Sequence, residues 1–472
     1  MRQLSGIDAA FLAVETPRWP MHVACVTIFD PSRVEGGYSV DRLKQTLRER
    51  MHRLPPFRRR AVEAPLGLAR PYWVEDPEFD LDFHVRRIAL PSPGGPRELS
   101  ELACDLYRQL LDRRRPLWEW WVVEGLRDGR VASFWKIHHA CIDGMTGAGM
   151  QEVMFDSEPD PPPLEEPPGY RWRPESIPSD TRMLLRSLPW FAQTPFRLAR
   201  EVAELVPTVR DLITGGHTES IPTNVPRTSF NHAVSQQRRF AFTSVSLSDV
   251  KRVKNAFGTK VNDVVLSICG GALRRYLLER GELPAEPLIA SVPVNVRGDS
   301  SPGDGNQISG LMTGLATELA DPVERLRKIY ANTQASKVMH EALGAQTIMN
   351  LADTPPPMLL SMALGFYART GLVNRHRPLF NVIISNVPGP RQPLYSLGAE
   401  VEAFYPMGIG FDGVGLFIGL MSYRDQIDFG LLACRELVPD PWFISEGIEL
   451  ELQDLVKAAD AQVEAAPGDD AP

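Results

Sequence analysis

The chain has 472 residues, of which 43% are hydrophobic and 23% charged. Such proportions belong to a globular protein with a substantial core, and they exclude a disordered tail, a collagen-like fibre and a small disulfide scaffold. The net charge of −8, from 51 basic and 59 acidic side chains, argues against a general nucleic-acid binder.

At roughly 150 residues per domain, the length predicts two or three domains, or two large ones. The opening run MRQLSGIDAAFLAVETPRW does not read as a signal peptide, because Asp8 and Glu15 interrupt any apolar core. His22–Phe29 reads as a buried strand and Val40–Met51 as a helix. Glu98–Leu111 has Leu99, Leu102, Ala103, Leu106 and Leu110 at helical spacing. Trp120–Leu126 and Val131–His138 read as strands joined by a turn at Asp128-Gly129. A proline-rich acidic stretch, Asp156–Pro178, breaks the alternation and predicts an extended linker.

Thr181–Ile213 follows with a helical pattern punctuated by Pro189, Pro195 and Pro207. The second half then predicts a helix over Val261–Arg280, a strand over Leu288–Val294 and a helix over Pro322–Met339. Strands follow at Leu379–Ser385, Val414–Ser422 and Ile427–Leu432, with a terminal helix from about Pro441. The resulting division is an N-terminal domain over 1–155, a linker with crossover helices over 156–220, and a C-terminal domain over 221–472. The longest apolar stretches, Met358–Ala368 and Val414–Met421, fall short of the ~20 residues a membrane span needs. The five cysteines (Cys25, Cys104, Cys141, Cys269, Cys434) are widely spaced and form no CxxC pair. A reduced, intracellular protein without a structural zinc site is the simpler expectation.

Among the nine histidines only His138 and His139 are adjacent, in the run HHACIDG that ends at Gly144. The run follows an apolar strand and precedes Gly144–Phe155, a plausible helix that Asp143 would cap. A strand emptying into a loop and a helix is a common place for reactive side chains in α/β proteins. A histidine there, with an intrinsic pKa of about 6.5, accepts a proton from an alcohol or amine at neutral pH. A satisfied structural histidine and half of a metal site are the competing readings. No HExxH or carboxylate–histidine pattern accompanies the pair, so no metal is expected.

The run His138–Gly144 resembles the HHxxxDG signature of coenzyme A-dependent acyltransferases related to chloramphenicol acetyltransferase, and of peptide condensation domains. Further blocks are similar to the bacterial wax ester synthase/diacylglycerol acyltransferase family. They are Pro116-Leu117-Trp118, Asn262-Asp263, PVNVR (Pro293–Arg297) and SNVPGP (Ser385–Pro390). The opening LSGIDAAFL and the stretch WVEDPEFDLDFHVRRIALPSPGG also resemble it, so the likeness runs from about Leu4 to Leu455. It implies an α/β fold of two chloramphenicol acetyltransferase-like mixed-sheet domains joined by a long crossover, with an active-site tunnel between them. The implied substrates are acyl-CoA and a diacylglycerol or long-chain fatty alcohol, giving triacylglycerol or wax ester without a cofactor.

The resemblance makes His139 the general base, with His138 shaping the loop, Asp143 a structural partner of some arginine, and Gly144 allowing a tight turn. It assigns Pro116, Leu117 and Trp118 to an acyl or acceptor channel, with core packing as the alternative. For Asn262 and Asp263, substrate contact competes with helix capping. SNVPGP reads as a turn after a buried strand. GIGFDG (Gly408–Gly413) fits GxGxxG but precedes a strand-like run, so it lacks the context of a dinucleotide site. Aromatics among arginines in Thr181–Ile213, for which core packing of a crossover helix is the competing reading, and the apolar run Met358–Arg369 are the candidates for peripheral membrane or lipid-droplet contact. Two rivals remain at this level. One is a condensation-type acyltransferase on a carrier-bound substrate, against which the lack of an adjoining carrier domain counts. The other is a catalytically silent lipid-droplet relative, which has no chemical reason to keep His138–Gly144.

Overall fold

The alternation of apolar runs and amphipathic ones resolves into two six-stranded sheets, each backed by helices. The computed structural model describes residues 2–67, 69–141, 154–162, 224–295, 308–343 and 357–465, with some residues between 172 and 200. In chain order the first half forms β1 (Arg2–Gln3), α1 (Gly6–Val14), β2 (His22–Asp30), α2 (Val40–Arg50), β3 (Arg59–Val62) and β4 (Tyr72–Glu75). It continues with α3 (Leu81–His84), β5 (Val85–Ala89), α4 (Pro96–Tyr107), β6 (Trp118–Glu124) and β7 (Val131–His138). The second half begins with β8 (Arg238–Ser246), α5 (Leu247–Phe257), α6 (Val261–Glu279), β9 (Ile289–Asn295) and β10 (Ile308–Gly314). There follow α7 (Pro322–Leu343), α8 (Pro357–Thr370), β11 (Val382–Pro388), β12 (Tyr395–Ser396), β13 (Ala399–Met407), β14 (Leu416–Tyr423), β15 (Gln426–Cys434) and α9 (Trp442–Ala465).

The first sheet has the order β12-β13-β2-β7-β6-β5, and the second β10-β9-β11-β14-β15-β8. Both are mixed: β5 runs parallel to β6, and β11 runs parallel to both β9 and β14. The centre of the first sheet, β2 against β7, is apolar on both faces, as a strand covered on both sides must be. Its two outer strands β12 and β13 come from the second half of the chain, so the halves are tied through a shared sheet. A bulge between Val401 and Ala403 adjusts β13 to β2.

Helix α6 is buried almost all round because it lies between the second sheet and α9. A Cβ on Gly270 would sit 2.7 Å from the Leu315 carbonyl oxygen, so only glycine permits that approach. Glu451 of α9 closes the layer by bonding Arg275 at 2.5 Å and the fully buried Arg325.

Several element boundaries differ from the periodic reading, and three of them have a clear physical cause. Helix α4 starts at Pro96, with proline in the first turn and the Glu98 carboxylate accepting the Gly95 N–H at 2.8 Å. It stops at Tyr107 rather than Leu111, where the buried Lys136 ammonium takes the carbonyls of Leu106 and Gln109 at 3.0 and 2.7 Å. Strand β11 begins at Val382, so Ser385–Pro388 of SNVPGP belong to a strand and not to a turn. The ladder with β14 runs from Ile383 opposite Phe417 to Pro388 opposite Ser422. The turn follows at Gly389, where an added Cβ would clash with the Ser422 carbonyl oxygen. The expected linker is pinned where it begins. Asp156 exchanges two 2.8 Å backbone bonds with Tyr395 and pairs with Arg50 at 2.5 Å.

Candidate functional site

The site is built where β7 ends. His138 is the last residue of β7 and lies opposite His22 of β2. The next three residues, His139–Cys141, form one tight helical turn held by the His139 N–H on the Met21 carbonyl at 2.8 Å. Adjacent histidines on a strand end cannot share an environment, because successive side chains leave opposite faces. The two rings diverge accordingly.

His138 is fully buried and wired into the backbone. Its Nδ1 accepts the Ala140 N–H at 3.1 Å, which places the proton on Nε2. That Nε2 faces Glu15 Oε1 at 3.5 Å. Its own N–H donates to the Leu117 carbonyl at 2.9 Å, so the Pro116-Leu117-Trp118 block lies directly behind the turn. Within that block Leu117 is fully buried, and the Trp118 indole N–H donates to the Phe57 carbonyl at 2.8 Å. Trp118 also stacks on His84 at 4.5 Å, and its carbonyl receives His84 Nδ1 at 2.8 Å. Burial takes His84 down to about 4, so it serves this block as a neutral ring.

His139 instead stacks on Phe11 of α1, with ring centroids 4.2 Å apart and planes 28° from parallel. Burial, and then the charge of His138 when protonated, lower its pKa to about 4. A neutral imidazole is therefore present through the whole physiological range. This is the form a proton acceptor needs. Asp143 and Gly144 lie outside the described residues.

Among the described residues, the Glu15 carboxylate makes an acidic contact with the pair. Burial pushes its carboxyl up, but the hydrogen bond and charge of His138 and the charge of Arg113 outweigh this and bring it to about 2. Arg113 donates to Glu15 Oε2 from Nε at 3.3 Å and Nη2 at 3.0 Å, and from Nη2 to the Leu12 carbonyl at 2.6 Å. Sequence reading passed over Phe11, Glu15 and Arg113. The one available signal was two acidic residues, Asp8 and Glu15, set at helical spacing in an otherwise apolar run.

Asn262 and Asp263 occupy the start of α6. Asp263 is 2% exposed; its Oδ2 accepts the Lys260 N–H at 2.9 Å and its Oδ1 the Thr333 hydroxyl at 2.8 Å. The carboxylate thus caps α6 and fastens it to α7. Asn262 accepts from the Asn386 amide at 3.3 Å, which joins the start of α6 to β11. The GIGFDG segment runs into strand β14, and the Gly408 carbonyl accepts the Tyr107 hydroxyl at 2.6 Å. The cysteines are all buried free thiols.

Residues 4–265, more than half of the chain, match the wax ester synthase/diacylglycerol acyltransferase catalytic domain. The chain belongs to this family. Residues 304–456 match the corresponding C-terminal domain. A putative diacylglycerol O-acyltransferase of Mycobacterium tuberculosis is 36% identical over 468 residues, covering 98% of this chain and 92% of that one. A probable diacylglycerol O-acyltransferase of the same species is 38% identical over 460 residues, covering 96% of this chain and 98% of the other. The wax ester synthase/diacylglycerol acyltransferase of Marinobacter aquaeolei VT8 superimposes with a TM-score of 0.68 at 31% identity, covering 97% and 100% of the two chains. The first condensation domain of the calcium-dependent antibiotic synthetase shares the fold, with a TM-score of 0.57 at 16% identity over 97% and 96% of the chains. The protein is an acyl-CoA-dependent acyltransferase with the two-domain α/β fold of this group.

Proposed function

We propose that His139 is the general base that transfers an acyl group from acyl-CoA to the hydroxyl of a diacylglycerol or a long-chain alcohol. The observation that carries this is the neutral ring of His139 just past the end of β7, stacked on Phe11, while the ring of His138 takes the Ala140 N–H. The imidazole takes the acceptor's proton, the oxygen attacks the thioester carbonyl, and the tetrahedral intermediate expels coenzyme A thiolate. The same imidazole returns the proton to sulfur. A positioned base contributes about 10²–10⁴-fold, the remainder coming from alignment and oxyanion stabilisation. Pro116-Leu117-Trp118 acts through the turn that it backs, and Asn262-Asp263 holds the start of α6 in place.

The test is coenzyme A release from palmitoyl-CoA with diacylglycerol, with hexadecanol and with no acceptor. His139→Ala is expected to abolish the acceptor-dependent part, by at least about 10²-fold. Equal rates in both proteins would remove His139 from the mechanism, and the preferred acceptor identifies the product.

We further propose that the enzyme meets its lipid substrate at an apolar surface around α8. Among the described residues no helix is long and apolar enough to cross a membrane. Met362 and Phe366, one helical turn apart on α8, are 63% and 64% exposed. On the crossover, Leu185 and Phe196 are likewise exposed. Ser361, Gly365 and Ala368 of α8 line cavities of about 300 and 400 Å³ against α1, a size range that suits a ligand. Met362→Glu with Phe366→Glu should cut binding to diacylglycerol-containing phosphatidylcholine vesicles severalfold, while turnover of detergent-dispersed substrate is kept. Undiminished vesicle binding would place the contact elsewhere.

A further inference from the structure

We propose that Glu15 is a positioning residue for the acyl transfer, acting on both histidines of the turn; the role rests on His139 being the base. Helix α1 ends at Val14, and the extended backbone of Glu15 (φ −60°, ψ 129°) sends its side chain inward, where it is 2% exposed. The last turn of α1 contains no basic residue. A helix C-terminus favours a cation, so an anion at this place weakens the helix rather than capping it. The carboxylate serves α1 only through Arg113, which its Oε2 holds against the Leu12 carbonyl; that leaves Oε1 unexplained by the helix. The donors around that oxygen supply the reason.

The two oxygens divide the work. Oε2 is taken by Arg113, which also holds the Leu12 carbonyl and so fixes the carboxylate relative to α1. Oε1 faces the Met21 N–H at 3.4 Å and His138 Nε2 at 3.5 Å. The Ala140 N–H on Nδ1 leaves the His138 proton on Nε2, so this edge donates toward Oε1. The Met21 carbonyl, on the other side of the same residue, receives the His139 N–H at 2.8 Å. Glu15 therefore reaches His138 through its ring and His139 through Met21. At 3.4 and 3.5 Å both contacts to Oε1 are long for hydrogen bonds, so their contribution is chiefly electrostatic orientation. A carboxylate that stays ionised supplies both oxygens as acceptors at any working pH.

Glu15→Gln is the discriminating variant, because an amide has one acceptor oxygen where two are needed. Whichever way the amide turns, either Arg113 or the Met21–His138 pair meets an NH₂ group. The expected result is a kcat at least tenfold lower with KM for palmitoyl-CoA within twofold; loss of the buried ion pair also lowers the melting temperature, so both constants are measured well below it. Arg113→Met, at a side chain 38% exposed, should give the same split and carries the test if the first variant does not fold. Glu15→Asp keeps the charge and should recover part of the lost kcat. A kcat within twofold of wild type in Glu15→Gln overturns the positioning role, as does a loss confined to KM, which would make Glu15 a wall of the cavities it lines. A His139→Ala variant as active as wild type overturns the base itself. An inactive His139→Ala beside a normal Glu15→Gln overturns only the positioning.

Discussion

The turn at the end of β7 and the start of α6 both carry a pair of polar residues in sequence, and the fold treats them in opposite ways. At the start of α6 the carboxylate of Asp263 is consumed: one oxygen takes a backbone N–H, the other a hydroxyl from α7. At the end of β7 the first histidine takes a backbone N–H on its ring, and the second lies neutral against an aromatic ring. A group whose bonds are all spent within the protein holds structure. An imidazole that stays neutral across the working pH range can accept a proton.

The contrast predicts opposite signatures. His139→Ala should collapse turnover with little change in melting temperature, since the ring makes a stacking contact on a turn that Met21 already fixes. Asp263→Ala should do the reverse. Losing a buried cap and its bond to Thr333 costs roughly 2 kcal/mol, which lowers the melting temperature by a few degrees. The protein that remains folded should turn over at close to the wild-type kcat. Thermal unfolding measured beside kcat on both variants decides the matter. If Asp263→Ala melts like wild type yet loses activity, the helix start contacts substrate and the comparison fails.

Much of this frame is legible in the residues themselves. β7 and the histidine pair at its end follow from an apolar run and its abrupt stop, and α6 follows from nineteen residues of helical pattern. What escapes is whatever depends on distant partners. Arg113 meets Glu15 across 98 positions in sequence, and no local pattern marks either as the other's counter-ion. Strand β13 joins a sheet made by the opposite half of the chain, and its alternation is disturbed by the bulge that fits it to β2. The end of α4 is set by Lys136, a strand residue, and not by any stop signal in the helix. SNVPGP looks like a turn because proline and glycine dominate it, yet a parallel neighbour holds its first four residues extended.

Phe11 offers the finest test of the difference between the two histidines. Its ring covers one face of His139, and burial is the larger of the two causes that take this imidazole to about 4. Phe11→Ala admits water to that face, so the pKa rises toward the ordinary value of about 6.5. The sign follows directly: a base must be neutral, and raising its pKa protonates more of it at any pH below the new value. The acid limb of kcat, near pH 4 in the wild type, should move upward. At pH 6 a base of pKa 6.5 is about one-quarter neutral, so activity falls up to roughly fourfold more there than at pH 8. At pH 8, where both forms of the enzyme hold a neutral ring, any remaining loss measures the stacking contact as an orienting device. An acid limb that stays in place would mean that the walls of the turn, rather than Phe11, keep His139 dry.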